Sequence, residues 1–375
     1  MEKLKLGFLG GGINSAVGQT HFIASRMDNH FDVVAGCFSR DKERNLETAT
    51  QWDINHNRLY STWQDLLRSE TNCLDAVVVL TPTPQHPEQV IAALKSGFNV
   101  ICEKALAPSI PLALKIKKIA LEAKKFLGIT FNYSGYPMIR ELRQIVMTGK
   151  LGKLHQIQIE MPQEGFLRRD DQGNPASPQS WRLYDNGIPT LSLDLGVHLH
   201  HLINFLTDLQ PVKVVSTHTT NGNFPDVVDG VSAIAEYENG LVANIWYTKT
   251  ALGHRNGLRV RIFGSDGSAE WFQLEPEILS VTNRRGQRSI LDRSDSSILI
   301  AHTPGFNRFK AGHPAGFIEA FANIYRDFAI QITGSVIDIE HRNIHNYSVD
   351  SAIAGLEFLD AMRISSKKCC WQTIK

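Results

Sequence analysis

The stretch GFLGGGINSAVGQTHFIASRM, residues 7–27, constrains the fold more than any other part of the chain. An apolar run, KLGFL, leads into Gly10 and Gly12, and apolar residues at helical spacing follow. Strand, glycine turn and helix in that order let backbone approach a phosphate closely while the helix N-terminus offers unpaired N–H groups. In a GxGxxG spacing the third glycine would fall at position 15, where Ser15 stands; the next glycine is Gly18. Two readings are open: a nucleotide site with an enlarged turn in which Gly18 takes the close-packing role, or a tight turn whose glycines serve backbone geometry alone.

The segments downstream decide the class of the first domain. DVVAGCF, a polar helix near 41–51, DAVVVL, a helix at HPEQVIAALKSG, NVIC, a helix near 109–125 and GITFNY follow one another. Short apolar strands alternating with helices predict a parallel sheet covered on both faces, a Rossmann-like α/β domain over residues 1–130. That context raises the weight of the nucleotide reading. After a helix at PMIRELRQIVMTGK and a strand near HQIQIEM, the polar stretch 162–189 is too long for an idle connector and reads as a lid or substrate loop. A helix near 192–207 precedes VKVVSTHT, GVSAIAEYE, GLVANIWYT, LRVRIFG and SAEWFQL, divided by turn signals such as Glu238-Asn239-Gly240 and Ser265-Asp266-Gly267. Residues 131–375 are therefore expected to form an α+β domain with a large, mostly antiparallel open sheet and helices on one face.

Composition narrows the partners. The 375 residues carry 39 Lys and Arg against 38 Asp and Glu, a net charge of +1, so no overall field draws in nucleic acid or an anionic membrane. A small molecule is the expected ligand. Five cysteines, Cys37, Cys73, Cys102, Cys369 and Cys370, show no paired-ligand spacing and suit a reducing compartment. MEKLKLGFLGGG enters a strand at once without a signal-peptide core, and no apolar run reaches membrane-spanning length. A cytoplasmic protein is expected.

Two segments, AVVVLTPTPQHPEQVIAALKSGFNVICEKALA and LSLDLGVHLHHLINFL, resemble in order and spacing the glucose-fructose oxidoreductase, inositol dehydrogenase and MocA family, Gfo/Idh/MocA. The resemblance spans most of the chain, including GHPAGFIEAFANIY at 312–325, and the GGGxxSxxG form of the glycine loop is familiar in one subgroup. It implies an N-terminal Rossmann domain, a C-terminal open sheet through which homodimers or homotetramers form, and an NAD(P)-dependent dehydrogenase or reductase. The substrate implied is a hydroxyl or ketone of a sugar, cyclitol or sugar derivative.

Hydride transfer from a carbinol carbon needs a base near the hydroxyl and a cation or donor for the developing alkoxide. By resemblance to the EKP motif and the family's Asp/His pair, Lys104, Asp194 and His198 are the catalytic candidates. Asp194 and His198, at i and i+4, can share a helix face. The cofactor candidates are Gly10, Gly12, Ile13, Asn14, Ser15, Ser39, Arg40, Thr81, Pro82, His86, Glu103 and Lys104. For substrate they are Lys104, Tyr133, Trp181, Arg182, Asp194 and His198. Each also has a structural reading: His198 a packed side chain, Asp194 a helix-start charge, His86 an early-helix polar group. A metal on Asp194, His198 and His201 lacks a fourth ligand, so no metal is expected.

Two departures matter. The family's proline after the lysine is Ala105 here, and since a non-proline cis peptide costs about 3–4 kcal/mol, a cis bond aiming Lys104 would be hard to keep. After the second strand the sequence reads Ser39-Arg40, with Asp41 beyond, where an NAD site usually carries an acidic residue. Arg40 suits a 2′-phosphate, which leans the cofactor toward NADP over NAD. A noncatalytic NAD(P)- or sugar-binding sensor on the same scaffold is the rival reading; the joint presence of Lys104, Asp194 and His198 favours the enzyme.

Overall fold

A computed structural model of the chain describes residues 2–176, 178–334 and 347–374. It divides into two compact units, Met1–Gly135 with Phe317–Ile353, and Tyr136–Gly316 with Ala354–Lys375.

In the first unit the chain runs through β1 (Leu4–Gly10), α1 (Gly18–Arg26), β2 (Phe31–Cys37), α2 (Lys42–Gln51), α3 (Trp63–Ser69), β3 (Ala76–Leu80), α4 (His86–Lys95), β4 (Asn99–Glu103), α5 (Ile110–Ala123) and β5 (Leu127–Thr130). The five strands are all parallel in the order β2-β1-β3-β4-β5. Every residue of β3, AVVVL, is buried, as a strand covered on both faces requires. Asp41 caps α2 by accepting the Arg44 N–H at 3.0 Å, and Thr62 caps α3, a helix absent from the sequence reading.

The second unit contains α6 (Pro137–Met147), β6 (Leu154–Pro162), α7 (Val197–Thr207), β7 (Pro211–Thr219), β8 (Gly230–Tyr237), β9 (Val242–Thr248), β10 (Arg259–Gly264), β11 (Gly267–Phe272), β12 (Leu279–Asn283) and β13 (Arg288–Leu291). The chain then forms α8 (Phe317–Thr333), within the first unit, α9 (Val349–Lys368) and β14 (Gln372–Thr373). The second sheet has nine strands ordered β13-β12-β11-β10-β6-β9-β8-β7-β14, antiparallel throughout except for the β6–β9 pair. The β12–β13 hairpin extends it beyond the strands read from sequence. Ile157, Ile159, Ala243 and Ile245 point into the core with α6 and α7, while Gln158, Glu160, Asn244 and Trp246 line a shallow groove on the other face.

Where the sequence reading placed one boundary after residue 130, the first unit runs on to Gly135 and also takes Phe317–Ile353. The apolar stripe of α8 explains this: Phe321, Ile324, Tyr325 and Phe328 are buried, and α8 packs on α1.

Candidate active site

The glycine turn is shaped by its backbone. Gly10 and Gly11 adopt φ of +78° and +74°, a region that side chains rarely tolerate. Helix α1 begins only at Gly18, where a Cβ would collide with the Gly11 carbonyl. Gly18 thus makes the close contact, and Ser15 occupies the enlarged turn: its N–H donates to the Gly12 carbonyl at 2.7 Å and its hydroxyl accepts from Gly18 N at 3.2 Å. Gly12 N donates to Phe38 O at 3.2 Å, and Ile13 N to Thr48 Oγ1 at 3.3 Å, which ties the turn to the end of β2 and to α2. Such a side-chain-free turn before a helix N-terminus fits a dinucleotide pyrophosphate. At the end of β2, Asn45 Oδ1 accepts from the N–H groups of Phe38 and Ser39, and Ser39 Oγ accepts from Asp41 N. Arg40 is exposed.

At the C-terminal end of β4, Glu103 is buried and Lys104 half-buried. Glu103 Oε1 lies 3.1 Å from His21 Nε2 and accepts the Thr130 hydroxyl; His21 Nδ1 in turn lies 2.8 Å from Tyr325 Oη on α8. Burial alone would raise the Glu103 pKa, but the His21 hydrogen bond and charge, the Lys104 charge and the Thr130 hydroxyl hold it below the ordinary carboxylate range. The Lys104–Ala105 peptide is cis, which corrects the expectation drawn from the missing proline. Ala105 is buried there, with its carbonyl 2.8 Å from His86 Nδ1. His86 Nε2 lies 2.6 Å from the Thr81 carbonyl, and burial lowers the His86 pKa against the opposing pull of the two carbonyls. His86 therefore spends both ring nitrogens, and Glu103 its Oε1, inside the protein. Thr81 donates its hydroxyl to Gln89 at 2.8 Å, Pro82 opens the short turn before α4, and Tyr133 is buried in a turn after β5.

In the second unit, Asp194 sits in a π-helical turn, Ser192–Gly196, that runs directly into α7 and His198. A π turn is wider than an α turn and is frequent at functional positions. One oxygen of Asp194, Oδ2, receives Arg182 Nη1 and also Lys249 Nζ, the latter at 2.6 Å. The three side chains are 10%, 23% and 8% exposed respectively, so a carboxylate and two cations share a largely dry corner. The Arg182 guanidinium lies over the Trp181 ring at 4.5 Å. These residues come from the polar stretch read as a substrate loop, which is anchored at Asp185: its carboxylate accepts Thr190 N at 2.7 Å and Val228 N at 2.8 Å. His198 is buried, His201 stacks on Phe205, and His200 packs against Phe358. Among the described residues no group of three or more His, Cys, Asp or Glu side chains is arranged to hold a metal.

The sequence reading brought Trp181, Arg182 and Asp194 forward and the structure places them together. It missed Lys249, one residue past the strand GLVANIWYT, and His21, whose partners are distant in sequence. A lysine just after a strand rich in buried residues was the available signal for Lys249.

A parallel sheet with this glycine turn, together with a second unit built on a large open sheet, defines a two-unit protein of the dinucleotide-binding class. Residues 4–131 match the oxidoreductase family with an NAD-binding Rossmann fold, and residues 139–270 match the GFO/IDH/MocA C-terminal domain. The chain belongs to the Gfo/Idh/MocA family and is an NAD-binding oxidoreductase. It is 28% identical over 388 aligned residues to the uncharacterized oxidoreductase YfiI of Bacillus subtilis, covering 100% of this chain and 98% of that protein. It is 24% identical to the levoglucosan dehydrogenase of Pseudarthrobacter phenanthrenivorans over 77% of this chain and 80% of that one. In fold it is similar to an inositol dehydrogenase homolog from Azotobacter vinelandii solved with NADH and myo-inositol, with a TM-score of 0.89, 24% identity, and coverage of 99% and 98%.

Proposed function

We propose that the chain oxidises a carbinol of a sugar or cyclitol, or reduces the corresponding ketone, with Lys104, Asp194 and His198 as its working side chains. The observation that carries the reading is Asp194: a carboxylate held in a largely buried corner by two cations, at the foot of the helix that bears His198. Groups kept charged at such cost are common at reacting centres. The nicotinamide, when bound, supplies the hydride acceptor or donor. Lys104 holds the substrate oxygen and stabilises its developing negative charge. His198 takes the hydroxyl proton during oxidation and returns it during reduction. Asp194 orients and supports that proton transfer, and Trp181 and Arg182 offer an aromatic face and donors to a polyol ring. The same charged residues weigh against a sensor, which needs no proton acceptor.

The backbone from Gly10 to Ser15 receives the pyrophosphate, and Thr81 and Pro82 border the cofactor. NADP is favoured over NAD: Asp41, the acidic residue that first follows β2 in the chain, is already engaged as the cap of α2, and Arg40 stands exposed after Ser39 to meet a 2′-phosphate. The open face of the nine-stranded sheet, where Ile234 and Trp246 are 42% and 38% exposed, is the surface for a homo-oligomer. A cytoplasmic setting accords with five free cysteines, and no helix among the described residues is long and apolar enough to cross a membrane.

The test is a panel of sugars, cyclitols and sugar derivatives, including myo-inositol and levoglucosan, followed by nicotinamide absorbance with NADP and NAD. At least one member should be turned over. Saturable nucleotide binding without turnover of any member would favour the sensor.

A further inference from the structure

Lys249 has no counterpart among the residues that the sequence brought forward, yet it holds the carboxylate on which the proposed chemistry turns. Its ammonium is 2.6 Å from Asp194 Oδ2 and 5.1 Å from the Phe166 ring centroid. The side chain is 8% exposed. A lysine so far removed from water is retained as a cation only when a charged partner compensates its desolvation, and Asp194 is such a partner.

The two cations on Asp194 have different foundations. Arg182 lies in a short turn, Ser180–Leu183, within the long polar loop, and is 23% exposed. Lys249 follows directly on β9, a central strand of the second sheet. Its backbone is fixed on both sides: the N–H donates to Asp229 O at 2.8 Å and the carbonyl accepts Phe166 N at 2.9 Å. The loop therefore supplies one contact to the carboxylate and the sheet supplies the other. Asp194 itself stands in a π turn, a departure from regular α geometry that is frequent at functional sites.

We infer that Lys249 is a positioning residue for the hydride-transfer reaction, fixing the Asp194 carboxylate to the sheet so that its orientation at the start of α7 is kept. This rests on the reading of Asp194 as part of the catalytic machinery. Lys249 acts through Asp194, not on the substrate, and that separates it from a residue that only stabilises the fold. A positioning role makes its effect disappear once Asp194 has lost its charge.

The experiment compares wild type, Lys249→Met, Lys249→Arg, Asp194→Asn and the Lys249→Met/Asp194→Asn double variant. The probe is the panel member with the highest kcat/KM. Lys249→Met should lower kcat by about 10²-fold with KM within about 3-fold, while NADP affinity is unchanged. Lys249→Arg, which keeps the cation, should recover to within about 10-fold of wild type. The double variant should be no slower than Asp194→Asn alone, within about 3-fold, the non-additivity expected of two residues acting as a unit. If Lys249→Met does not fold, Lys249→Gln takes its place in the cycle, and circular dichroism establishes the fold of each variant. Full activity in Lys249→Met, or a double variant slower by the product of the two single losses, would overturn the inference while leaving Asp194 in its role. Full activity in Asp194→Asn, or no turnover of any panel member by wild type, would instead remove the reading on which the inference stands.

Discussion

His21 on α1 and Glu103 at the end of β4 face each other across 3.1 Å, the imidazole Nε2 against the carboxylate Oε1, and Tyr325 closes the chain at 2.8 Å from Nδ1. All three are buried. The Tyr325 phenol, whose pKa burial and the Glu103 charge push well up, remains a neutral hydroxyl beside Nδ1. Helix α8 is thereby joined to the strand that ends at Glu103, just before Lys104.

Removing the Tyr325 hydroxyl leaves His21 Nδ1 buried without this partner. Tyr325→Phe should cost about 1–3 kcal/mol of unfolding free energy, measured by denaturant titration. Since Glu103 is held below its ordinary range, the stability it contributes is complete above the unfolded pKa of about 4.3 and is lost as pH falls through the lower folded value. Glu103→Gln should flatten the stability curve below about pH 5. An equally steep curve in the variant would show that this carboxylate is not held as described.

His200 gives a second dependence, in a higher window. Burial depresses its pKa from the ordinary 6.5 to about 4, and its Nε2 has no hydrogen-bond partner among the described residues. The unfolded chain binds a proton there before the folded one does, so stability is complete above about pH 6.5 and declines as pH falls toward 4. The loss from this group approaches about 3 kcal/mol. His200→Leu should remove it, leaving the comparable dependence of His218, which burial also lowers to about 4. Urea unfolding at several pH values reads the difference.

Cofactor choice is tested at Arg40. A charge-assisted contact to a 2′-phosphate is worth about 1.5–3 kcal/mol, so NADP should bind about 10- to 100-fold more tightly than NAD. Arg40→Ala should bring the two dissociation constants together. Equal constants in wild type, or an unchanged ratio in the variant, would assign Arg40 to stacking on adenine or to solvent.

What the sequence revealed follows the range of the interactions involved. The strands of the first sheet were legible because apolar runs are local signals, and the polar helix read near 41–51 is α2. The enlarged turn was legible for the same reason, since Ser15 and Gly18 act within a few residues of Gly11 and Gly12. Membership of Phe317–Ile353 in the first unit was not, because it depends on α8 meeting α1 about 300 residues earlier in the chain. Glu103 was read as a cofactor contact, and its partners His21 and Thr130 lie 82 and 27 residues away. Lys249 was passed over because strand periodicity ends at Thr248, and its burial beside Asp194 is a tertiary fact.

Transfer of a hydride from a carbinol carbon is the centre of the account, and isotope tracing tests it most directly. The polyol turned over in the panel is prepared with deuterium at its carbinol carbons and incubated with wild type and with Lys104→Met, and the nicotinamide is examined by mass spectrometry and NMR. Wild type should place one deuterium at C4 of the reduced ring, and Lys104→Met should slow its appearance by about 10²-fold or more with cofactor affinity nearly unchanged. Deuterium appearing in solvent without entering the nicotinamide, or equal transfer by Lys104→Met, would contradict the account.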